Sequence, residues 1–258
     1  MRARPKLARA FETPDAKLAY NRRLFATIAP RYDLITRVLS YGQDARWKRR
    51  AIALVRREAP HGRALDLACG TGDFAHAMAA DGRDVVGLDL TCEMLQRARD
   101  REPKAERREP IFLMGDMTRL PFPDASFAVV TVGYGLRNVP ELSRAIGEIA
   151  RVLAPGGLLV SLDFNKPDSR PLRAIYLGYL TIVGSALGLA LHGDADTYRY
   201  IPHSIRRYPG ARGVARLLDD AGFADVRIEP RLGGLMAIHV ARKPGVTSVV
   251  AAARESAI

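Results

Sequence analysis

The chain has 258 residues, 48% hydrophobic and 26% charged, which suits one α/β domain with a large core and excludes a disordered or fibrous chain. Its only two cysteines, Cys69 and Cys92, exclude a disulfide framework and a cysteine-based zinc site, so a reducing, cytoplasmic setting is expected. A net charge of +12 and a pI of about 10.1 favour anionic partners, either nucleic acid or an anionic membrane face.

Residues 1–16 read as a disordered basic lead, and Arg2, Arg4 and Lys6 have no apolar run behind them, so no signal peptide is expected. A single domain is expected over 17–243 and a flexible tail over 244–258. Residues 17–60 carry helical patterns, one over 34–39 and one from Asp44 through Trp47 to Arg57, ahead of the first strand. They are expected to cover the mouth of a ligand site, with Trp47 read most simply as core. Strands follow at 64–68, 84–88, 111–114, 127–132 and 158–164. The helices between them run from the first strand to about Ala80, over 93–100 with Thr91 as cap, and from Pro140. The last has an apolar face of Leu142, Ile146, Ile149, Val152 and Leu153 and ends at Pro155, Gly156 and Gly157. Such alternation predicts a parallel, doubly wound sheet.

Residues 168–209 break the alternation. Residues 174–191 carry no charge, which is the lower length limit for a membrane span. Three readings stand side by side: a span, a buried helix, or an apolar lid over a greasy substrate that touches a bilayer. A helix over 211–221 and a hairpin of strands at 223–229 and 235–242 complete a seven-stranded, mostly parallel α/β sheet with helices on both faces.

The stretch around Gly70, Thr71 and Gly72 is the most informative. A buried strand runs into a glycine turn and then a helix, so backbone can approach a ligand beside unpaired N–H groups. Gly70-x-Gly72-x-x-Ala75, with Asp89 further on, fits the dinucleotide fingerprint. But Asp66 and Asp73 flank the turn, which itself holds no Lys or Arg, and carboxylates repel a diphosphate. A cationic cofactor without phosphate, such as S-adenosylmethionine, suits the charge better.

Several further blocks resemble the quinone-ring C-methyltransferases of menaquinone and ubiquinone biosynthesis. They are Tyr32-Asp33 through Ser40 to Trp47, the loop over 65–73, Leu120-Pro121-Phe122-Pro123-Asp124, Gly135-Leu136-Arg137-Asn138-Val139, Arg151-Val152-Leu153-Ala154-Pro155-Gly156-Gly157, and the run 194–206. The resemblance covers about residues 20–242 and implies a Rossmann-like class I methyltransferase with an N-terminal helical cover and a helical lid after strand five. The chain departs from the family pattern at Thr36, Gly133, Ala154, Asp163 and Asn165.

The resemblance implies methyl transfer from S-adenosylmethionine to a ring carbon of a prenylated hydroquinone. Its cofactor contacts fall on Thr71, Asp89, Asp116, Met117 and Gly133, with Asp66 and the backbone of Gly70 and Gly72 toward the methionine end. Arg137 is expected to stabilise the ring phenolate and Asn138 to hold its oxygen or a water. Asp33, Tyr32, His203 or an ordered water takes the proton, with Asp33 through water preferred. Tyr134, Tyr176, Tyr200 and His203 are expected on the substrate side, and the prenyl tail under residues 175–191. Gln43 and Asp44, where many relatives carry His, tilt the acceptor toward a naphthoquinol over a benzoquinol. No metal and no nucleic acid is expected, peripheral contact with an anionic membrane is, and the oligomeric state, a homodimer included, is left open. The rivals are an RNA methyltransferase, a nicotinamide dehydrogenase and a non-catalytic binding protein on the same fold.

Overall fold

A computed structural model describes residues 7–101 and 108–245. Seven strands form one sheet in the order β3-β2-β1-β4-β5-β7-β6: β1 (Ala64–Leu67), β2 (Val85–Asp89), β3 (Ile111–Met114), β4 (Phe127–Gly133), β5 (Leu153–Phe164), β6 (Ala224–Arg231) and β7 (Met236–Arg242). β7 runs antiparallel to β5 and β6, and the other pairings are parallel. The strand order reverses at β1/β4, so the carboxyl ends of those two strands flank the crevice where such sheets bind ligands.

Strand periodicity splits the core in two. Ala64, Val129, Val160 and Ile238 face one layer, and Leu65, Leu67, Val130 and Leu159 the other. The first layer packs on α1 (Pro14–Ile28), α2 (Tyr32–Leu39), α3 (Asp44–Glu58), α4 (Asp73–Ala79), α5 (Cys92–Arg99), α7 (Arg170–His192) and α8 (Asp196–Arg207). The second packs on α6 (Leu142–Val152) and α9 (Gly210–Asp220). Trp47 is core, at 5% exposure.

Several local expectations need correction. The lead is ordered from Leu7: a 3-10 turn, Leu7–Phe11, buries Leu7 and Ala10 and stacks Phe11 on Tyr200. Helix α1 then starts at Pro14, capped by the Thr13 hydroxyl accepting from the Ala16 N–H. Residues 1–6 and the tail from 246 lie outside the described residues. Thr91 does not cap α5 with its side chain, because its N–H donates to Asp89 and its hydroxyl faces the same carboxylate. Helix α6 starts at Leu142 rather than at Pro140 and ends before Pro155. Strand β5 begins at Leu153 and slips register, pairing Phe127 with Leu153 and then Val129 with Leu158. The departure at Asn165 has a structural role: it accepts from the Ala211 N–H and donates to the Gly234 carbonyl, which ties α9 to the hairpin.

The apolar run becomes α7, 23 residues long and apolar enough to cross a membrane by length and composition alone. Tyr176, Leu177, Leu180, Gly184 and Gly188 are buried. The two glycines explain the close approach to α8 and the turn before it: a Cβ at Gly188 would clash with the Asp194 carbonyl, and one at Gly184 would meet the Tyr198 Cβ at 3.2 Å.

Candidate active site

The glycine loop closes through its own carboxylates. Gly70 sits at φ +55° and Gly72 at φ +83°, where a side chain is strained. The Gly70 N–H donates to Asp89 Oδ2 at 2.9 Å, and the Ala75 N–H at the start of α4 donates to Asp66 Oδ2 at 3.1 Å. These are donors that a dinucleotide site would aim at phosphate. Here carboxylates occupy them, so the dehydrogenase reading fails on hydrogen bonding.

The acids of the turn are offset from elsewhere in the fold. Cations from outside the turn reach Asp73: Lys48 at 2.6 Å and Arg101 at 2.6 Å. Lys48 also pairs with Asp44 at 2.7 Å. The Asp73 carboxyl is held below its ordinary value, since Lys48 and Arg101 outweigh its burial. Burial lifts Asp66 to about 7, against hydrogen bonds from Thr131 and Ala75. This corner is therefore mixed in charge rather than acidic, which suits a group carrying both an ammonium and a carboxylate.

Three cavities adjoin at the sheet's rim. The first is lined by Asp89, Asp116, Met117, Gly133 and, from the helical cover, Asn21 and Phe25. Asp89 lines this cavity while its carboxylate accepts from the Gly70 and Thr91 N–H groups. Asp116 spends one oxygen on the Thr118 N–H and hydroxyl, which leaves the second for a donor. The second cavity holds Asp66, Thr71, Asp73 and Lys48. The third is an apolar chamber between α1, α2 and α8, lined by Ile28, Ile35, Leu39, Phe164 and Ile201, with Arg137 and Tyr200 in its wall. Tyr32 and Tyr134 line all three.

Both tyrosines stay protonated near neutral pH. Burial raises Tyr32 to about 12, moderated by Lys48 and Arg137, and burial and Asp44 hold Tyr134 well above the ordinary phenol value. Tyr134 is strained at φ +58° and donates its hydroxyl to Asp44 at 2.5 Å. Its carbonyl accepts from Arg137 and Asn138, both at 2.9 Å. The Arg137 guanidinium is buried, pairs with Asp163 at 2.7 Å and lies 4.5 Å over Phe164. Burial works against its charge, and Asp163 more than restores it. Asp163, a departure from the family pattern, thus serves as the counter-ion of Arg137.

Four polar atoms around these cavities are buried without a hydrogen-bond partner: Arg137 Nε and Tyr200 Oη beside the chamber, and Asn21 Oδ1 and Asn138 Oδ1 beside the first cavity. Leaving such a group unpaired costs about 1–3 kcal/mol, so a cluster of them marks a place for a ligand.

Not every expected residue joins this wall. Asp33 accepts from the Thr71 hydroxyl at 2.9 Å, faces Arg101 and is 55% exposed in a separate surface groove, so it is removed from the chamber. It is not placed to take a proton there. His203 and Tyr176 line none of the three cavities: His203 is half-buried on α8, and Tyr176 is buried under α7. Sequence reasoning missed Lys17, Asn21 and Lys48, and singled out Asp44 without its bond to Tyr134. Lys17 donates to the carbonyls of Arg137 and Val139, and burial with Arg137 nearby lowers it to about 8. Its position one helical turn before Asn21 is the local signal that both face the same loop.

Residues 14–243 match the ubiE/COQ5 methyltransferase family. The chain is 44% identical over 223 residues to a demethylmenaquinone methyltransferase of Thermus thermophilus, covering 86% of this chain and 100% of that one. It is 39% identical to one from Renibacterium salmoninarum, covering 86% and 91%. Among solved structures, a possible histamine N-methyltransferase from Thermotoga maritima superposes with a TM-score of 0.59 at 18% identity, covering 85% of this chain and 99% of that one. A Haemonchus contortus phosphoethanolamine N-methyltransferase, solved with S-adenosyl-L-methionine, gives 0.56 at 17%, covering 76% and 52%. At that distance these two speak to the fold alone.

Proposed function

The chain belongs to the ubiE/COQ5 methyltransferase family, and from that premise we propose that it methylates a ring carbon of demethylmenaquinol with S-adenosylmethionine as donor. The names of its relatives support the substrate. The observation that carries the reading is the junction: a carboxylate-lined cavity, a zwitterion-compatible corner and an apolar chamber meet at Tyr32 and Tyr134, beside four unpaired buried polar atoms.

When bound, S-adenosylmethionine supplies an electrophilic methyl group. Asp89 would accept from the ribose hydroxyls and Asp116 from the adenine amino group. Asp66, Asp73 and Lys48 would meet the methionine ammonium and carboxylate. The apolar chamber holds the quinol ring and excludes water, which strengthens the charge effects inside it. Much of the rate comes from this positioning.

The ring carbon becomes nucleophilic as its neighbouring hydroxyl loses a proton. A phenol ionises near pH 10, so near neutrality the anion needs a fixed cation. Arg137 provides it, with Nε still unpaired; an arginine does not itself accept the proton. The Tyr134 oxygen accepts that proton while its own passes to Asp44. The acceptor's prenyl tail sets the enzyme to work at the inner face of a membrane.

The test compares reduced demethylnaphthoquinone and demethylbenzoquinone as acceptors under identical conditions. A higher kcat/KM for the naphthoquinol is expected. Equal or reversed values overturn the assignment of substrate.

A further inference from the structure

We propose that the outer face of α2 and α7 docks the enzyme on an anionic lipid bilayer, with α2 as the wall between the lipid and the acceptor chamber. The inference rests on the lipophilic-acceptor reading and assigns a surface to it.

Helix α7 is held on the body by one face and leaves the other uncovered. Ile175, Ile182 and Leu189 are 71%, 72% and 59% exposed. They recur every seven residues, so they form one stripe along the helix. No Asp or Glu lies anywhere in α7. The stripe continues onto α2, where Leu34 and Val38 are exposed, and onto Tyr41, which stacks on Tyr179 of α7 at 4.6 Å. Single exposed apolar residues are ordinary; a stripe across two neighbouring elements marks an interaction surface.

Arginines border the stripe. Arg170 opens α7 and is exposed, Arg37 shares the outer face of α2, and Arg31 reaches the far end of α7, donating to the Leu191 carbonyl at 2.7 Å. The acid on α2, Asp33, is engaged by Thr71 and Arg101. An apolar centre with a basic border is the make-up of an interfacial surface for anionic lipid. A second copy fits less well, because a two-fold contact brings the same arginines together. Insertion of α7 as a span would strip Tyr176, Leu177, Leu180, Gly184 and Gly188 from their packing on the body.

The placement of α2 gives the surface its purpose. Its inner residues Ile35 and Leu39 line the chamber, while Leu34 and Val38 face out. One two-turn helix therefore separates the chamber from whatever covers the outer face.

The test is sedimentation of the full chain with vesicles of phosphatidylglycerol and phosphatidylcholine, or of phosphatidylcholine alone. Binding is expected to the anionic vesicles and to weaken with salt. The Ile175→Asp/Ile182→Asp variant should lose at least about tenfold in vesicle affinity. Its melting temperature and its rate on a tail-less, water-soluble demethylnaphthoquinol should stay unchanged, while its rate on long-tailed quinol in vesicles falls. Three results would overturn the proposal: no vesicle binding by the wild type, equal binding by the variant, or a variant that only turns a dimer into a monomer. Binding as expected with neither quinol methylated would sink the acceptor reading and leave the surface standing.

Discussion

Arg137 shows how stability and chemistry share one side chain. Its charge is held in the interior by Asp163, so Asp163→Ala should destabilise the fold by about 3–5 kcal/mol, measured by urea unfolding. Arg137→Lys keeps the charge but loses the fork. Its kcat should fall at least about tenfold with the cofactor Kd unchanged, and equal kcat would remove Arg137 from the chemistry. The proton path is tested at Asp44, whose carboxylate accepts the Tyr134 hydroxyl. Asp44→Asn should lower kcat and move the pH–rate profile to higher pH, and an acceptor with a more acidic phenol should restore the rate. A loss that such an acceptor does not repair would make Asp44 a structural partner of Lys48. Asp66 gives a signature in stability. The folded chain holds its proton up to about pH 7, whereas the ordinary carboxyl value is 3.8. Its contribution is therefore fully present below pH 4, is lost as pH rises through 7, and amounts to ~4 kcal/mol at most. The unfolding free energy of the wild type should fall relative to Asp66→Asn across that window; a constant difference would contradict the assignment.

At the scale of elements, the strand–turn–helix at the glycine loop was legible because its signals are local: an apolar run, two glycines and a helical period. The Leu7–Phe11 turn was not, because its partners are remote. Phe11 packs on Tyr200 and under the guanidinium of Arg207. Helix α7 was legible as a helix but not as to what it faces, since a chargeless run has no polar face to orient it. Its glycines carry the answer in their spacing, four residues apart on one side. Gly188→Ala puts a methyl against the Asp194 carbonyl and should cost about 1–3 kcal/mol in thermal unfolding. A neutral outcome would mean that the α7–α8 turn yields easily. The hairpin of β6 and β7 forms as expected. The slip at the start of β5 was hidden because Pro155, Gly156 and Gly157 read locally as a helix stop.

At the scale of the molecule, the candidate site was half written in the sequence. Asp66, Gly70, Asp89, Asp116, Met117 and Gly133 lie at or just beyond strand ends, where topology alone sends a ligand. The acceptor side was harder. Its wall is assembled from α1, α2, the turn after β4 and α8: the resemblance put Arg137 and Tyr200 there, and only a fold could show that Ile28, Ile35 and Leu39 line it with them, or that Asp33 and His203 do not. The same assembly puts the cofactor-lining residues and the chamber against one pair of tyrosines, and the central claim follows from that adjacency. Its most direct measurement supplies methyl-deuterated S-adenosylmethionine and demethylmenaquinol and locates the label by mass spectrometry. The expected result is one labelled methyl group on a ring carbon of the naphthoquinol, formed at least about tenfold more slowly by the Arg137→Lys variant. Label on an oxygen, on RNA, or on no product at all would contradict the account.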